Sequence, residues 1–133
     1  MLVDSSVWID YYRGASTAET RVLRSALTSG ALLAILDVIL VEVLQGFRSD
    51  HDFDMAAGQM TRLPRLPLTP ADLLAAAQLA RRLRSKGANL RSVVDVLIAQ
   101  AAISNHRDLL TSDADFRAIA RHSALRLTAP SAP

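Results

Sequence analysis

Four acidic residues stand where charge is unexpected, and together they could hold a divalent metal ion. Asp4 directly follows a short apolar run, and Asp113 follows another at residues 109–111. Glu42 and Asp95 each lie between two valines inside apolar segments. Carboxylates gathered at one place repel one another, and a hard cation such as Mg²⁺ or Mn²⁺ relieves that repulsion. Because such an ion can activate water beside a phosphate, these residue types point to metal-assisted hydrolysis.

Each acid also has an ordinary structural explanation. Asp4 and Asp113 could cap the helices that follow them, and Asp95 stands three residues after Ser92, as in a capping box. Glu42 could lie on an exposed helix stripe. The structural explanation is favoured for any one acid taken singly. The joint placement of four acids at strand ends and helix starts favours a shared site.

Short apolar runs alternate along the chain with longer segments of helical periodicity. The runs predict strands at residues 2–3, 31–36, 63–68, 108–111 and 125–128, and the segments between them predict seven helices. This order predicts an α/β fold of three layers, in which a mostly parallel sheet of about five short strands lies between helices. Ligands of such sheets bind at the carboxyl ends of the strands, where Asp4 and Asp113 are expected.

The composition is typical of a globular protein with a single core. The chain has 133 residues, half of them hydrophobic, and we expect one domain over residues 1–133 with a loose tail at 129–133. The absence of cysteine excludes disulfides, thiolate metal sites and cysteine nucleophiles. The sequence shows neither a signal peptide nor an apolar run long enough to span a membrane, so we expect a cytoplasmic protein with no membrane partner.

Four segments of the sequence together resemble the motifs of the PIN-domain nucleases. They are LVDSSVWID at residues 2–10, VEVLQG at 41–46, DVLIA at 95–99 and LLTSDADF at 109–116. Their order and spacing, and the length of the chain, are similar to those of VapC-type toxins from bacterial toxin–antitoxin pairs. The resemblance covers essentially the whole chain, and it rests on the four motifs jointly rather than on any one of them.

The resemblance implies a metal-dependent endoribonuclease that is inhibited by a cognate VapB-type antitoxin. Asp4, Glu42, Asp95 and Asp113 match the four catalytic acids of the family, which hold one or two Mg²⁺ or Mn²⁺ ions. Asp115 matches a less regular fifth acid, which ranks below the others as a metal ligand. Family members commonly form homodimers, and the antitoxin tail usually lies across the active-site groove.

The resemblance also implies supporting residues around these acids. Ser6 matches a small polar residue that assists near the first acid, and Thr111 matches a hydroxyl residue before the last one. Arg91 matches a basic residue that often precedes the third acid. Since attack on the phosphate by water does not use the RNA 2′-hydroxyl, the expected products carry a 5′-phosphate and a 3′-hydroxyl.

The charge balance is consistent with an RNA substrate. The chain has 15 basic and 13 acidic residues, a net charge of +2. If five acids surround a metal ion, eight acids remain against 15 bases, and such a surplus suits a phosphate backbone. Candidate RNA contacts are Arg13, Arg48 and Arg91. The three histidines have no spacing that would support acid–base catalysis, so ribonuclease chemistry through a cyclic phosphate is not expected.

Two other functions remain open from the residues. One is a stand-alone PIN-domain nuclease that processes RNA; a small antitoxin gene directly upstream would favour the toxin instead. The other is a non-catalytic RNA- or protein-binding module in which the acids only cap helices. That second alternative predicts no metal binding and no loss of function on Asp4→Ala.

Overall fold

The computed structural model describes residues 1–130, so part of the tail expected at 129–133 lies outside the described residues. Within this range the chain forms two strands and seven helices. In chain order they are β1 Leu2–Val3, α1 Ser5–Tyr12, α2 Ala18–Ser29, α3 Asp37–Leu44, α4 Asp50–Met60, α5 Pro70–Ser85, α6 Val93–Ser104, β2 Leu109–Leu110 and α7 Asp115–Arg121. The seven helices lie where the hydrophobic periodicity predicts them.

The α/β fold is confirmed, but its sheet has fewer strands than predicted. β1 and β2 pair in parallel, with Leu2 opposite Leu109 and Val3 opposite Leu110. The other three segments predicted as strands contribute single parallel bridges. These bridges join Leu2 to Ala34, Ile35 to Arg65 and Leu109 to Leu127. The prediction of about five strands is therefore wrong in number, although the five segments do lie side by side.

Proline limits the sheet at one of its edges. The carbonyl of Pro64 accepts a hydrogen bond from the Ile35 N–H at 2.9 Å, and the Leu66 N–H donates to the Ile35 carbonyl at 2.8 Å. Pro64 and Pro67 have no N–H with which to extend this ladder. The segment around Arg65 therefore makes a bridge rather than a strand.

The short sheet is covered on both faces. Neighbouring residues of a strand point to opposite faces, and Leu2, Val3, Leu109 and Leu110 are all fully buried. Helix α1 packs against α2 and α3, and α3 packs against α4. Helix α6 packs against α5 and α7. This is the three-layer arrangement expected from the sequence.

Local signals set the ends of several helices. Thr17 and Thr69 form capping boxes at the starts of α2 and α5. Gly30 ends α2 in the left-handed conformation, with φ of 70°. In the part of the chain that the structure describes, no helix is long and apolar enough to cross a membrane.

Candidate metal centre

The parallel pairing of β1 and β2 brings the first and last motifs together. The Asp4 N–H donates to the carbonyl of Leu110 at 2.9 Å, so Asp4 lies beside Thr111, the first residue after β2. Oδ2 of the buried Asp4 carboxylate accepts hydrogen bonds from Ser6 Oγ at 2.7 Å and from Thr111 Oγ1 at 3.0 Å. Its other oxygen, Oδ1, makes no hydrogen bond within residues 1–130, which leaves it available to a cation.

The same two hydroxyl groups hold the loop that carries the last acids. Thr111 Oγ1 accepts from the Asp113 N–H at 3.0 Å, and Ser6 Oγ accepts from the Ser112 N–H at 3.3 Å. The structure therefore brings Ser6 and Thr111 against Asp4, as the resemblance implies for residues that assist the acids. Their part in activity stays a prediction.

Asp4 caps α1, as the structural explanation proposed, whereas α7 has Ala114 at its N-cap position and no side-chain capping bond. Oδ2 of Asp4 accepts from the Ser6 N–H at 3.4 Å at the start of α1, and Oδ1 of Asp113 accepts from the Asp115 N–H at 2.9 Å. In each case one carboxylate oxygen accepts from a backbone N–H. These hydrogen bonds and metal binding are therefore compatible at the two residues.

Asp95, Asp113 and Asp115 form a group close enough to share one ion. Each offers a carboxylate oxygen, and these three oxygens all lie within 4.8 Å of one another. Asp95 lies in the first turn of α6, where the Ser92 hydroxyl caps the helix by accepting from the Val94 N–H, and Asp95 completes no capping box. Asp115, which ranked lowest as a ligand by sequence, lies inside this group.

Glu42 approaches the same site from α3. Burial raises the pKa of its carboxyl, the charge of Asp4 raises it further, and the Ser5 hydroxyl opposes the rise. Oε1 of Glu42 is buried and has no hydrogen-bond partner within residues 1–130. A buried carboxylate oxygen without a donor is unfavourable unless a cation takes the donor's place.

The pKa of Asp95 responds to the charges of the other four acids. This pKa is raised to about 6, most strongly by burial and then by the charges of Asp4, Asp113, Glu42 and Asp115 in that order. Such mutual repulsion is expected where several carboxylates converge, and a divalent cation removes it. The residues present therefore fit a hard cation, with Asp4 and Glu42 beside the group of three aspartates.

Each of the three arginines predicted to contact RNA lies near a member of this acidic cluster. Arg13 and Arg48 line a pocket of about 270 Å³ that Glu42 also lines. Arg91 is exposed, and its Nε lies 3.7 Å from Asp115 Oδ2. Exposed ion pairs of this kind contribute little free energy, so Arg91 can exchange Asp115 for a phosphate. Whether the three residues bind RNA stays a prediction.

The pairing of Phe47 with Tyr12 in that pocket was not predicted from the sequence. Phe47 and Tyr12 both line it, and their rings meet edge to face with centroids 5.5 Å apart. Both residues fit the apolar periodicity of a helix, which predicts core packing. Only the tertiary packing of α1 beside the end of α3 brings them together next to Glu42.

Comparison with known proteins finds related sequences and a similar fold. A family model described as the PIN domain matches residues 1–122. The chain is 34% identical over 128 residues to VapC ribonuclease Mb1587 of Mycobacterium bovis and to ribonuclease VapC11 of Mycobacterium tuberculosis, covering 95% of this chain and 96% of each relative. Its fold is similar to a chain in the crystal structure of VapBC2 from Rickettsia felis bound to a promoter DNA fragment. That match has a TM-score of 0.76 and 18% identity, and it covers 96% of each chain.

Proposed function

The chain belongs to the PIN-domain family, and from that premise we propose that it is a VapC-type endoribonuclease toxin. It cleaves RNA with the help of Mg²⁺ or Mn²⁺, and a cognate VapB-type antitoxin inhibits it. The names of relatives that are 34% identical over almost the whole chain support the ribonuclease activity.

The observation that carries the proposal is the convergence of five carboxylates on one another. The raised pKa of Asp95 has four other acids among its causes, and the buried Oε1 of Glu42 lacks a donor. A site used only for helix capping would not need Glu42 or Asp95 at this place, because neither accepts the capping hydrogen bond of its helix. A divalent cation accounts for both features.

The residues of the chain divide the work in the following way. Asp4, Glu42, Asp95 and Asp113 hold the ion or ions, and Asp115 is a further ligand. When bound, Mg²⁺ or Mn²⁺ activates a water for attack and stabilises charge on the leaving oxygen of the phosphodiester.

Around these ligands, other residues orient the acids and hold the substrate. Ser6 and Thr111 orient the Asp4 carboxylate by donating to its Oδ2. Arg13, Arg48 and Arg91 hold the RNA backbone around the site, where each can offer its charge to a phosphate. The acids hold the ion that the reaction needs, so loss of an acid should abolish cleavage. The arginines share the binding of the RNA, so loss of one arginine should only weaken cleavage.

We extend the proposal to the organisation of the protein. The chain acts as a single PIN domain, and it forms a homodimer. Large apolar side chains on the surface of α5 and α6 support the dimer, since Leu74 is 70% exposed and Val93 is 63% exposed. The antitoxin inhibits by lying across the acidic site and the arginines around it.

The decisive experiment measures cleavage of end-labelled RNA by the purified protein with Mg²⁺ or Mn²⁺ and with excess EDTA. We expect cleavage only with metal, and products with a 5′-phosphate and a 3′-hydroxyl by mass spectrometry. Asp95→Asn and Asp4→Asn should be inactive, and the second variant keeps an oxygen that can cap α1. Asp54→Asn, an exposed acid in α4, is the matched control and should remain active.

Expression in a bacterial host tests the toxin role separately. Induction of the wild type should arrest growth, Asp95→Asn should not, and co-expression of a small gene found directly upstream should restore growth. RNA cleavage that persists in EDTA contradicts the metal mechanism. Arrest by both acid variants at the wild-type level contradicts the nuclease assignment itself. Cleavage without growth arrest would favour a stand-alone processing nuclease.

A further inference from the structure

A pocket opens beside the acidic cluster, between the end of α1 and the segment that joins α3 to α4. Its volume is about 270 Å³, just below the range of pockets that hold drug-sized ligands. Its lining includes Glu42 together with two aromatic residues, Tyr12 and Phe47, and two basic residues, Arg13 and Arg48. A ligand in this pocket therefore lies next to Glu42, one of the acids of the proposed metal site.

The aromatic wall of the pocket is rigid on one side. Tyr12 stacks on the fully buried Trp8 with ring planes 19° apart, and its hydroxyl donates to Gln59. Burial raises the pKa of the Tyr12 phenol well above its ordinary value, so it stays a neutral donor. Phe47 meets Tyr12 edge to face and is only partly buried, so part of its ring is open to a ligand.

Two arginines in the lining of the pocket are unpaired, and the exposed Asp52 lines the pocket with them. Arg13 and Arg48 are both exposed, and neither forms an ion pair with an acid within residues 1–130. Two free guanidinium groups beside an aromatic ring are the combination that binds single-stranded nucleic acid. The backbone phosphates bind the cations, and an unstacked base lies on the ring.

We propose that this pocket is a nucleobase subsite, in which an unpaired base next to the scissile phosphate stacks on Phe47 while Arg13 and Arg48 hold the flanking phosphates. The inference rests on the proposed ribonuclease function and adds to it a residue, Phe47, that selects RNA whose bases are unpaired. It requires the RNA to be single-stranded at the cleavage site, because a base inside a duplex cannot reach the ring. Stacking on an aromatic ring tolerates any base, so Phe47 selects unpaired RNA rather than one sequence.

The test pairs changes in the protein with changes in the RNA. A 5′-labelled single-stranded RNA that the wild type cleaves at one position is prepared with a single abasic ribose at each position near the cut. We expect one abasic position next to the cut to lower kcat/KM by roughly tenfold, the order that base stacking contributes. Phe47→Leu, which keeps an apolar side chain against the core, should lower kcat/KM on the intact RNA by a similar factor.

The fall in kcat/KM caused by the abasic position and the fall caused by Phe47→Leu should not combine, because both changes remove the same stacking contact. Phe47→Leu should therefore cleave the intact and the abasic RNA equally well, and Phe47→Tyr should restore the preference for the intact RNA. Phe53→Ala removes a partly exposed aromatic side chain of α4 that does not line the pocket, and it should behave as wild type.

The outcomes separate this inference from the proposed function. If the wild type cleaves RNA with metal but no abasic position matters, or if the effects of Phe47→Leu and the abasic change multiply, the subsite does not exist and the ribonuclease assignment stands. If the wild type cleaves no RNA with either metal, the proposed function is wrong and the subsite is lost with it.

Discussion

Thr111 Oγ1 lies 3.0 Å from Oδ2 of Asp4 and joins two acidic motifs that are far apart in the chain. The same oxygen accepts from the Asp113 N–H, so the single hydroxyl proton is directed to Asp4. One small side chain therefore orients the first proposed ligand and fixes the backbone of the last. This is the kind of outer contact that sets how well a metal site is preorganised.

Thr111→Val should weaken metal binding and lower activity while the fold is kept. Valine has nearly the same shape as threonine but cannot donate to Asp4, and loss of such an outer partner typically costs about 10–100-fold in affinity or rate. We expect an increase in the Mn²⁺ dissociation constant by calorimetry at the lower end of that range, with a matching shift in the metal dependence of RNA cleavage.

Thr128→Val is the matched control for this prediction. Thr128 Oγ1 is buried and has no hydrogen-bond partner within residues 1–130, so its removal breaks no contact. We expect unchanged metal affinity and a stability equal to or slightly above that of the wild type. Equal metal affinity of Thr111→Val and the wild type would show that the hydroxyl does not orient the site.

The sequence predicts the helices well because each carries its own local signals. Thr69 and Pro70 begin α5, and Gly30 ends α2 in the left-handed conformation that glycine favours. The strands are predicted less well, since an apolar run does not indicate how many of its residues pair with a neighbouring strand. The segment around Arg65 has the composition of a strand but makes one bridge, because two prolines lie close to it.

The candidate site shows a similar division between local and tertiary information. The acids can be recognised in the sequence because a charged residue is unusual inside an apolar segment, as at Glu42 and Asp95. Their relative distances are not visible, and Asp115 lies within 4.8 Å of Asp95 and Asp113 although its motif ranked it lowest. The sequence around Phe47 indicates core packing and not a site, since only tertiary packing brings its ring beside Glu42.

Asp95→Asn should stabilise the metal-free protein at neutral pH while abolishing cleavage. The folded-state pKa of Asp95 is about 6, above its ordinary value of 3.8, so the ionised form is disfavoured by folding. Below about pH 4 the carboxyl is protonated in both the folded and the unfolded chain, so it does not lower the free energy of unfolding. Between about pH 4 and 6 the Asp95 carboxyl ionises in the unfolded chain before it ionises in the folded protein. The free energy of unfolding therefore falls as pH rises, and the loss of stability is complete above about pH 6.

Thermal unfolding in EDTA measures this effect from about pH 4 to 8. Asparagine carries no charge, so we expect the free energy of unfolding of Asp95→Asn to exceed that of the wild type by about 1–2 kcal/mol at about pH 7.5. This is less than the pKa change alone implies, because solvent screens a partly exposed side chain. The difference from the wild type should shrink towards the acid end of that range. Asp54→Asn, which replaces an exposed acid of α4, should change Tm by less than about 1 °C at every pH. A variant less stable than the wild type at neutral pH would contradict the repulsion between the acids.

Arg48→Ala should weaken RNA binding and make it less sensitive to salt. Arg48 is exposed beside the pocket next to Glu42, and each phosphate contact that is lost removes roughly one unit from the slope of log affinity against log salt. The measurement uses a fluorescent single-stranded RNA and the inactive Asp95→Asn protein, at several salt concentrations. Arg82→Ala is the control, because Arg82 is an exposed residue in the last turn of α5, where it complements the helix dipole. Equal slopes for the two arginine variants would remove Arg48 from the RNA-binding surface.

Gly30→Ala and Gly58→Ala should change stability in opposite directions, although neither new methyl group meets another atom within 4 Å. Gly30 has φ of +70°, a conformation that disfavours a Cβ, so alanine should lower the free energy of unfolding by about 1 kcal/mol. Gly58 lies inside α4, where alanine restricts the unfolded chain, and the free energy should rise by about 0.5–1 kcal/mol. Urea unfolding of both variants checks the signs. A loss of stability in Gly58→Ala would show that its surface is packed rather than open.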